Sequence, residues 1–204
     1  MTKKWIRERK HDYYHRLAKE EGYRSRAAYK LLQIVEKYHL IKPGDVVVDL
    51  GSAPGGWMQA ARKVVGEGGY VLGIDLKSIV NLGYTNVTSI IGDIETLRSS
   101  DVLRILPKEA DVVLSDVSPN VSGNWELDHA KQIYLAEMSL RLAVDVLRVG
   151  ANFLVKAFDG SYMMDFVNKT KMHFRIVRIV KPKASRKTSA EIYITAITFN
   201  GKPQ

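Results

Sequence analysis

A chain of 204 residues is long enough for one α/β domain with a full core and needs no covalent staples. It contains no cysteine, which excludes disulfides and thiolate metal sites and suits a reducing cytosol. The net charge of +9 is segregated: residues 1–30 carry +6, residues 169–188 carry +8 with no acid, and the rest carries five net negative charges. An acidic body with two basic segments favours a polyanionic partner. No apolar run approaches the roughly 18 residues that a bilayer span needs. The opening stretch is charged, with no apolar segment behind it, so it does not read as a secretory signal. The expectation is a cytoplasmic protein with no membrane or metal partner, built as a basic arm at 1–23 and a single domain at 24–200.

In chain order, the arm mixes Lys3, Lys4, Trp5, Arg7, Arg9, Lys10, Tyr13, Tyr14 and Arg16, a set able to meet phosphates and stack on unpaired bases. Apolar residues at 27, 28, 31, 32, 34 and 35 have helical spacing, with Ser25 as the expected cap and Lys30 beside the apolar stripe. A strand at 45–50 runs through Val46, Val47 and Val48 to Asp49 and Leu50. A glycine-rich turn follows, then a helix at about 55–65 that Gly66-Glu67-Gly68-Gly69 ends. Strands at 70–76 and 86–93 end near Asp75 and Asp93, and a short helix is expected at 95–106. A strand at 111–116 exits through a stretch too rich in turn formers for a helix. A long helix at about 127–148 stops at Gly150, and a strand at 152–158 carries Lys156. A helix at 161–170 leads to strands at 173–181 and 191–199, joined by the basic loop 181–189.

Strands alternating with helices imply a mostly parallel sheet. The last two strands are joined too closely for a crossover helix and should pair antiparallel. The expected fold is therefore α/β, a Rossmann-like seven-stranded sheet with one reversed strand and helices on both faces. In such sheets a ligand sits beyond the carboxyl ends of the strands, where strand order reverses. Asp49, Asp75, Asp93, Asp116 and Lys156 all fall at or near such ends. A single strand-end acid is usually a cap or turn former; five ionisable groups together exceed what folding requires.

The turn itself, Asp49-Leu50-Gly51-Ser52-Ala53-Pro54-Gly55-Gly56-Trp57, lacks the G-x-G-x-x-G spacing of a dinucleotide site. It resembles the S-adenosylmethionine (SAM) turn of the FtsJ/RrmJ family of RNA ribose 2′-O-methyltransferases, and the resemblance extends over about residues 24 to 199. Members carry a Lys-Asp-Lys-Glu tetrad, which matches Lys30, Asp116, Lys156 and Glu191. Val117-Ser118 departs from the Met-Ala of bacterial members without touching the tetrad. The resemblance implies that Gly51, Ser52, Pro54, Gly55, Gly56, Trp57, Asp75, Asp93 and Asp116 line the cofactor site. Asp75, about twenty residues past the turn, is placed for ribose hydroxyls, Asp93 for the adenine amino group, and Gly55, Gly56 and Trp57 for the methionine end.

Methylating a ribose requires the poorly nucleophilic 2′-hydroxyl to lose its proton while held in line with the methyl. Lys156 is the candidate base, or alternatively the group that steers the hydroxyl's lone pair. Arg24, Arg26, Lys181, Lys183, Arg186 and Lys187 would frame a groove for an RNA strand. The resemblance implies a monomer acting on a uridine of large-subunit (23S-type) ribosomal RNA, within the large subunit. A tRNA anticodon-loop methyltransferase shares the tetrad. A non-catalytic ribosome-assembly factor and an NAD(P)-dependent oxidoreductase are the other readings.

Overall fold

The central strands are apolar on both sides, and this decides the layering. In β1 (Val46–Leu50) every residue is buried; Val46, Val48 and Leu50 belong to one core and Val47 to the other. A computed structural model describes residues 13–186 and 188–202. After a first helix, α1 at residues 13–20, come α2 (Ala28–Tyr38), β1, α3 (Gly56–Val65), β2 (Tyr70–Asp75) and β3 (Val87–Ile91). The chain continues with α4 (Ser99–Ile105), β4 (Ala110–Ser115), α5 (Trp125–Val146), β5 (Leu147–Phe158), α6 (Met163–His173), β6 (Phe174–Val180) and β7 (Glu191–Phe199).

The strands form one seven-stranded sheet in the order β3-β2-β1-β4-β5-β7-β6. β1 to β5 pair parallel, and β7 runs antiparallel to both its neighbours, as the sequence pattern implies. Helices α2 and α3 cover one face through Leu31, Ile34, Trp57, Met58 and Ala61. The other face is covered by α4, α5 and α6 through Val102, Ile133, Ala143 and Phe166. The strand order reverses between β1 and β4, so their carboxyl ends open the crevice where such sheets bind ligands.

Three local expectations change. Helix α5 ends at Val146 rather than near 148, and β5 starts at once, Leu147 pairing with Ala110 before the register shifts at Val112–Asn152. Arg148 donates to Asp111 at 2.6 Å, which ties this segment to the sheet instead of the helix. Ser25 does not cap α2: the helix starts at Ala28 with no side-chain cap, and Ser25 packs against Gly56, where a Cβ would lie 2.2 Å from its hydroxyl. Finally, α1 docks on the domain, with Ala18 in a small cluster with Tyr29 and Ala184, and Gln33 donating to the Tyr14 hydroxyl at 2.9 Å. Lys3, Lys4, Trp5, Arg7, Arg9 and Lys10 of the arm, and Lys187, lie outside the described residues.

Candidate active site

The glycine turn is built by its neighbours. Gly51 (φ +73°) donates to Ile74 O at 2.8 Å, and a Cβ there would lie 2.8 Å from the Val117 nitrogen. Only glycine lets the exit of β1 approach the exit of β4 so closely. The Asp75 carboxylate accepts from Ala53 N and Lys77 N, both at 2.9 Å, and so holds the turn at the end of β2. Gly55 precedes α3 with φ +109°, and Pro54, exposed, follows a cis peptide bond. Asp93 sits just beyond β3 and accepts from Glu95 N at 3.0 Å.

Two buried groups at this crevice have no partner among the described residues: both carboxylate oxygens of Asp49 and the hydroxyl of Ser52. Asp49 is fully buried. Burial, then the charges of Asp116 and Asp75, push its carboxyl well above the usual range. Such surroundings favour the neutral, protonated carboxyl, whose oxygens have no hydrogen-bond partner among the described residues.

The four residues of the expected tetrad converge on one point from four elements. Lys30, on α2, donates to Glu191, at the start of β7, at 2.7 Å. Lys156, on β5, donates to the Asp116 main-chain oxygen at 2.7 Å and lies 3.2 Å from its carboxylate. All four side chains are at least four-fifths buried. Tyr193 joins the two pairs: its hydroxyl donates to Asp116 at 3.0 Å and accepts from Lys30 at 3.4 Å. Burial, then Asp116 and Glu191, hold its phenol well above the ordinary range, so it remains a donor. For Glu191, burial works upward, but Lys30, the Ser185 hydroxyl at 2.9 Å and the charge of Lys156 together hold it below its ordinary value.

Tyr193 is the site residue the sequence reading missed. The available signal was parity: residues two apart on a strand share a face, so Tyr193 had to point with Glu191. Trp57 does something other than line the crevice. It is buried, its indole donates to Ala27 O at 2.8 Å, and its ring packs 5.7 Å from Tyr193, so it sets the approach of the turn before Lys30.

The basic residues divide. Arg24 spends its guanidinium on main-chain oxygens of Pro54 (3.2 Å), Asn81 (3.0 Å) and Val80, clamping the glycine turn to the loop 76–86. Arg26 donates to Ala184 O at 3.4 Å. Lys181 donates to Ser189 O at 2.6 Å and is exposed, as are Lys183 and Arg186. The loop's inner residues, Ala184 and Ser185, are buried against α2 and Glu191, so its charges are presented beside the tetrad. A cavity of about 240 Å³ under the loop 76–86, lined by Met58, Ile79, Leu82 and Ser89 among others, contains none of the strand-end acids and abuts the glycine turn, Ile79 lying 3.4 Å from where a Cβ at Gly55 would be. Among the described residues no group of three or more His, Asp or Glu is placed to hold a metal, and no helix is long and apolar enough to cross a membrane.

The FtsJ-like methyltransferase family model matches residues 23–199. The chain is 48% identical over 98% of its length to ribosomal RNA large subunit methyltransferase E of Methanocaldococcus jannaschii, covering 83% of that protein. It is 50% identical over 90% of its length to the protein of that name from Methanothrix thermoacetophila, covering 71% of it. A crystal structure of a ribosomal RNA methyltransferase from Plasmodium falciparum superposes with a TM-score of 0.78 at 29% identity, covering 88% of this chain and all of the other.

Proposed function

The chain belongs to the FtsJ-like methyltransferases, and on that premise we propose that it methylates the ribose 2′-hydroxyl of a uridine in large-subunit ribosomal RNA. SAM is the cofactor, supplying a methyl group on a sulfonium. The residues present fit it. Asp49 and Ser52 offer buried polar groups that have no partner among the described residues, and Gly55, with φ +109°, keeps a side chain off the turn. Asp75 and Asp93, at the ends of adjacent strands, would hold the ribose and adenine, with Gly51, Ser52, Pro54, Gly55, Gly56 and Asp116 around the rest; Trp57 contributes from behind.

The observation that carries the reading is the chain Ser185–Glu191–Lys30–Tyr193–Asp116–Lys156 beside that cradle. Lys156 has two acceptors on its ammonium, both from Asp116, which fixes its direction and leaves a third N–H for a ribose oxygen. In this role it would turn the hydroxyl's lone pair toward the methyl that SAM supplies, the hydroxyl proton passing to solvent water. Lys30, locked by Glu191 and Tyr193, would hold that carboxylate and that hydroxyl in place beside the reacting ribose. The exposed Lys181, Lys183 and Arg186, with the Lys187 of the same loop, would meet RNA phosphates, and Arg26 would support the loop from behind. Arg24 would serve RNA only indirectly, through the turn it clamps. The enzyme would act in the cytoplasm as a monomer.

The test is methyl uptake from labelled SAM into intact large ribosomal subunits and into bulk tRNA, followed by mapping of the methylated riboses. A uridine ribose of the large-subunit RNA is the expected acceptor. Uptake into tRNA alone would move the substrate without changing the chemistry, and uptake into neither would remove the reading.

A further inference from the structure

Beside the tetrad, and used by nothing above, stands a row of four aromatic rings. Phe158 lies two residues beyond Lys156 on β5 and is the register partner of Glu191. Its ring stacks on Trp125 (6.0 Å, 21°), Trp125 on His129 (5.7 Å, 12°), and His129 on Tyr162 (5.4 Å, 11°). The row draws on the ends of three elements, β5, α5 and the approach to α6. It is fixed before any ligand arrives. Asp128 accepts from Ser122 N, Ser122 Oγ and Gly123 N at 2.7 to 3.0 Å, which pins the turn leading to Trp125. Tyr162 N donates to His129 Nε2 at 3.1 Å, and a Cβ at Gly160 would fall 2.8 Å from that nitrogen. Gln132, one turn further along α5, donates to both Val117 O and Lys156 O at 3.1 Å, which ties the helix carrying the row to the reaction centre.

Trp125 is held between Phe158 and His129, and Tyr162 is the open outer ring of the row. His129 is 1% exposed, yet Trp125 is 48% and Tyr162 50% exposed. Other aromatics, such as Tyr84 and Tyr134, are also exposed, but Trp125 and Tyr162 are held in a stacked row. Held flat, aligned and half bare at the rim of a nucleic-acid site, they are arranged as a stacking surface. Ser118, Asn120, Ser122 and Asn124, exposed on the neighbouring loop, supply polar groups within the same surface.

We propose that the Trp125–His129–Tyr162 row is a platform on which an unpaired nucleobase of the RNA stacks, one flanking the nucleotide whose ribose reaches Lys156. The inference rests on the RNA-methyltransferase reading and adds a substrate requirement to it: the strand must be single and splayed next to the target. Its geometry is that of RNA recognition through unstacked bases rather than duplex grooves.

The experiment uses a short single-stranded RNA containing 2-aminopurine, whose fluorescence is quenched by stacking, together with large-subunit RNA as methyl acceptor. Tyr162→Ala and Trp125→Ala are compared with Tyr162→Phe and Trp125→Phe. Losing one stacked base weakens binding by roughly 5- to 100-fold. We expect KM for RNA to rise by that factor in the alanine variants, with kcat and SAM affinity unchanged. Quenching should be lost with it, and the phenylalanine variants should restore both. The slope of binding against salt should stay the same, since no phosphate contact is removed. If folded alanine variants bind and quench like the parent, the platform is not used. If they methylate free RNA normally and fail only on assembled subunits, the rings meet a protein, and the inference is wrong. Should the parent protein methylate no RNA at all, the enzyme reading fails separately, while quenching on binding still decides the platform.

Discussion

Two buried aspartates on neighbouring strands, Asp111 and Asp49, sit at opposite rims of the sheet and live in opposite environments. Asp111, at the amino end of β4, is 3% exposed and saturated: Val46 N and Lys108 at 2.8 Å, Arg148 at 2.6 Å. Burial pushes its carboxyl up, but Lys108, the Val46 N–H and Arg148 outweigh that and hold it below its ordinary value. Asp49, at the carboxyl end of β1, is as deeply buried and has no partner at all among the described residues. The amino rim is closed with charge that completes the fold. At the carboxyl rim the fold leaves Asp49 without a hydrogen-bond partner among the described residues, near the charges of Asp116 and Asp75. The difference marks one rim as structural and the other as reserved for ligands.

The largest effect belongs to the carboxyl rim. Lys156→Ala should lower methyl transfer about 10²-fold, the loss expected when the attacking group is no longer oriented. SAM affinity should stay near that of the parent, while the melting temperature falls because Asp116, four-fifths buried, loses its cation. Single-turnover kinetics with calorimetric binding separates these quantities; a normal rate would break the comparison at its centre.

Asp111→Ala tests the amino rim and should cost stability alone. It leaves the Val46 N–H buried and unpaired, at about 2 kcal/mol, and frees two half-exposed cations to solvent. Melting temperature should fall by about 6 °C, at roughly 2–4 °C per kcal/mol for a chain of this size. SAM affinity in the folded protein should not change.

Asp49→Asn sharpens the contrast, since it should stabilise the protein while weakening the ligand. The native Asp49 holds its proton more tightly than an unfolded aspartate. Between the unfolded value of about 3.9 and the raised folded value, the native state binds more protons, so stability falls as pH rises through that window. The amide carries no such dependence. Its advantage in melting temperature should be greatest at neutral pH and shrink toward pH ~4, while SAM binding weakens. Thermal scans across pH, with and without SAM, read both. A variant no more stable than the parent at neutral pH would mean that Asp49 is answered within the fold.

The sequence made the carboxyl rim legible and the amino rim nearly invisible, for physical reasons. Strand-end ionisable groups and a glycine turn are local patterns, so Asp75, Asp116 and Lys156 stand out before any fold is known, whereas Glu191 stands out only through the resemblance to the family tetrad. The saturation of Asp111 depends on Val46, Lys108 and Arg148 meeting across strands, which no local pattern records. The clamp made by Arg24 was hidden for the same reason: the carbonyls that engage it lie 30 and more residues away. The entry to β5 at Leu147 was hidden because Val144-Asp145-Val146-Leu147 continues the apolar spacing of the helix before it.

Tyr193→Phe should have the smallest effect and is the most specific test of how the carboxyl rim is wired. The substitution keeps the ring that packs 5.7 Å from Trp57 and beneath the Lys30 ammonium, 5.8 Å from its centre. Only the hydroxyl bridge between the Lys30–Glu191 and Asp116–Lys156 pairs is lost. Asp116 keeps Lys156 and Lys30 keeps Glu191, so neither charge is stranded. The cost should be that of one ordinary hydrogen bond, about 1 kcal/mol, or some fivefold in rate. Combined with Glu191→Gln, the loss should be less than the sum of the two, because each change loosens the same Lys30. A double-mutant cycle on single-turnover rates measures that coupling. Strict additivity would mean that Tyr193 serves Asp116 alone and that the two pairs act separately.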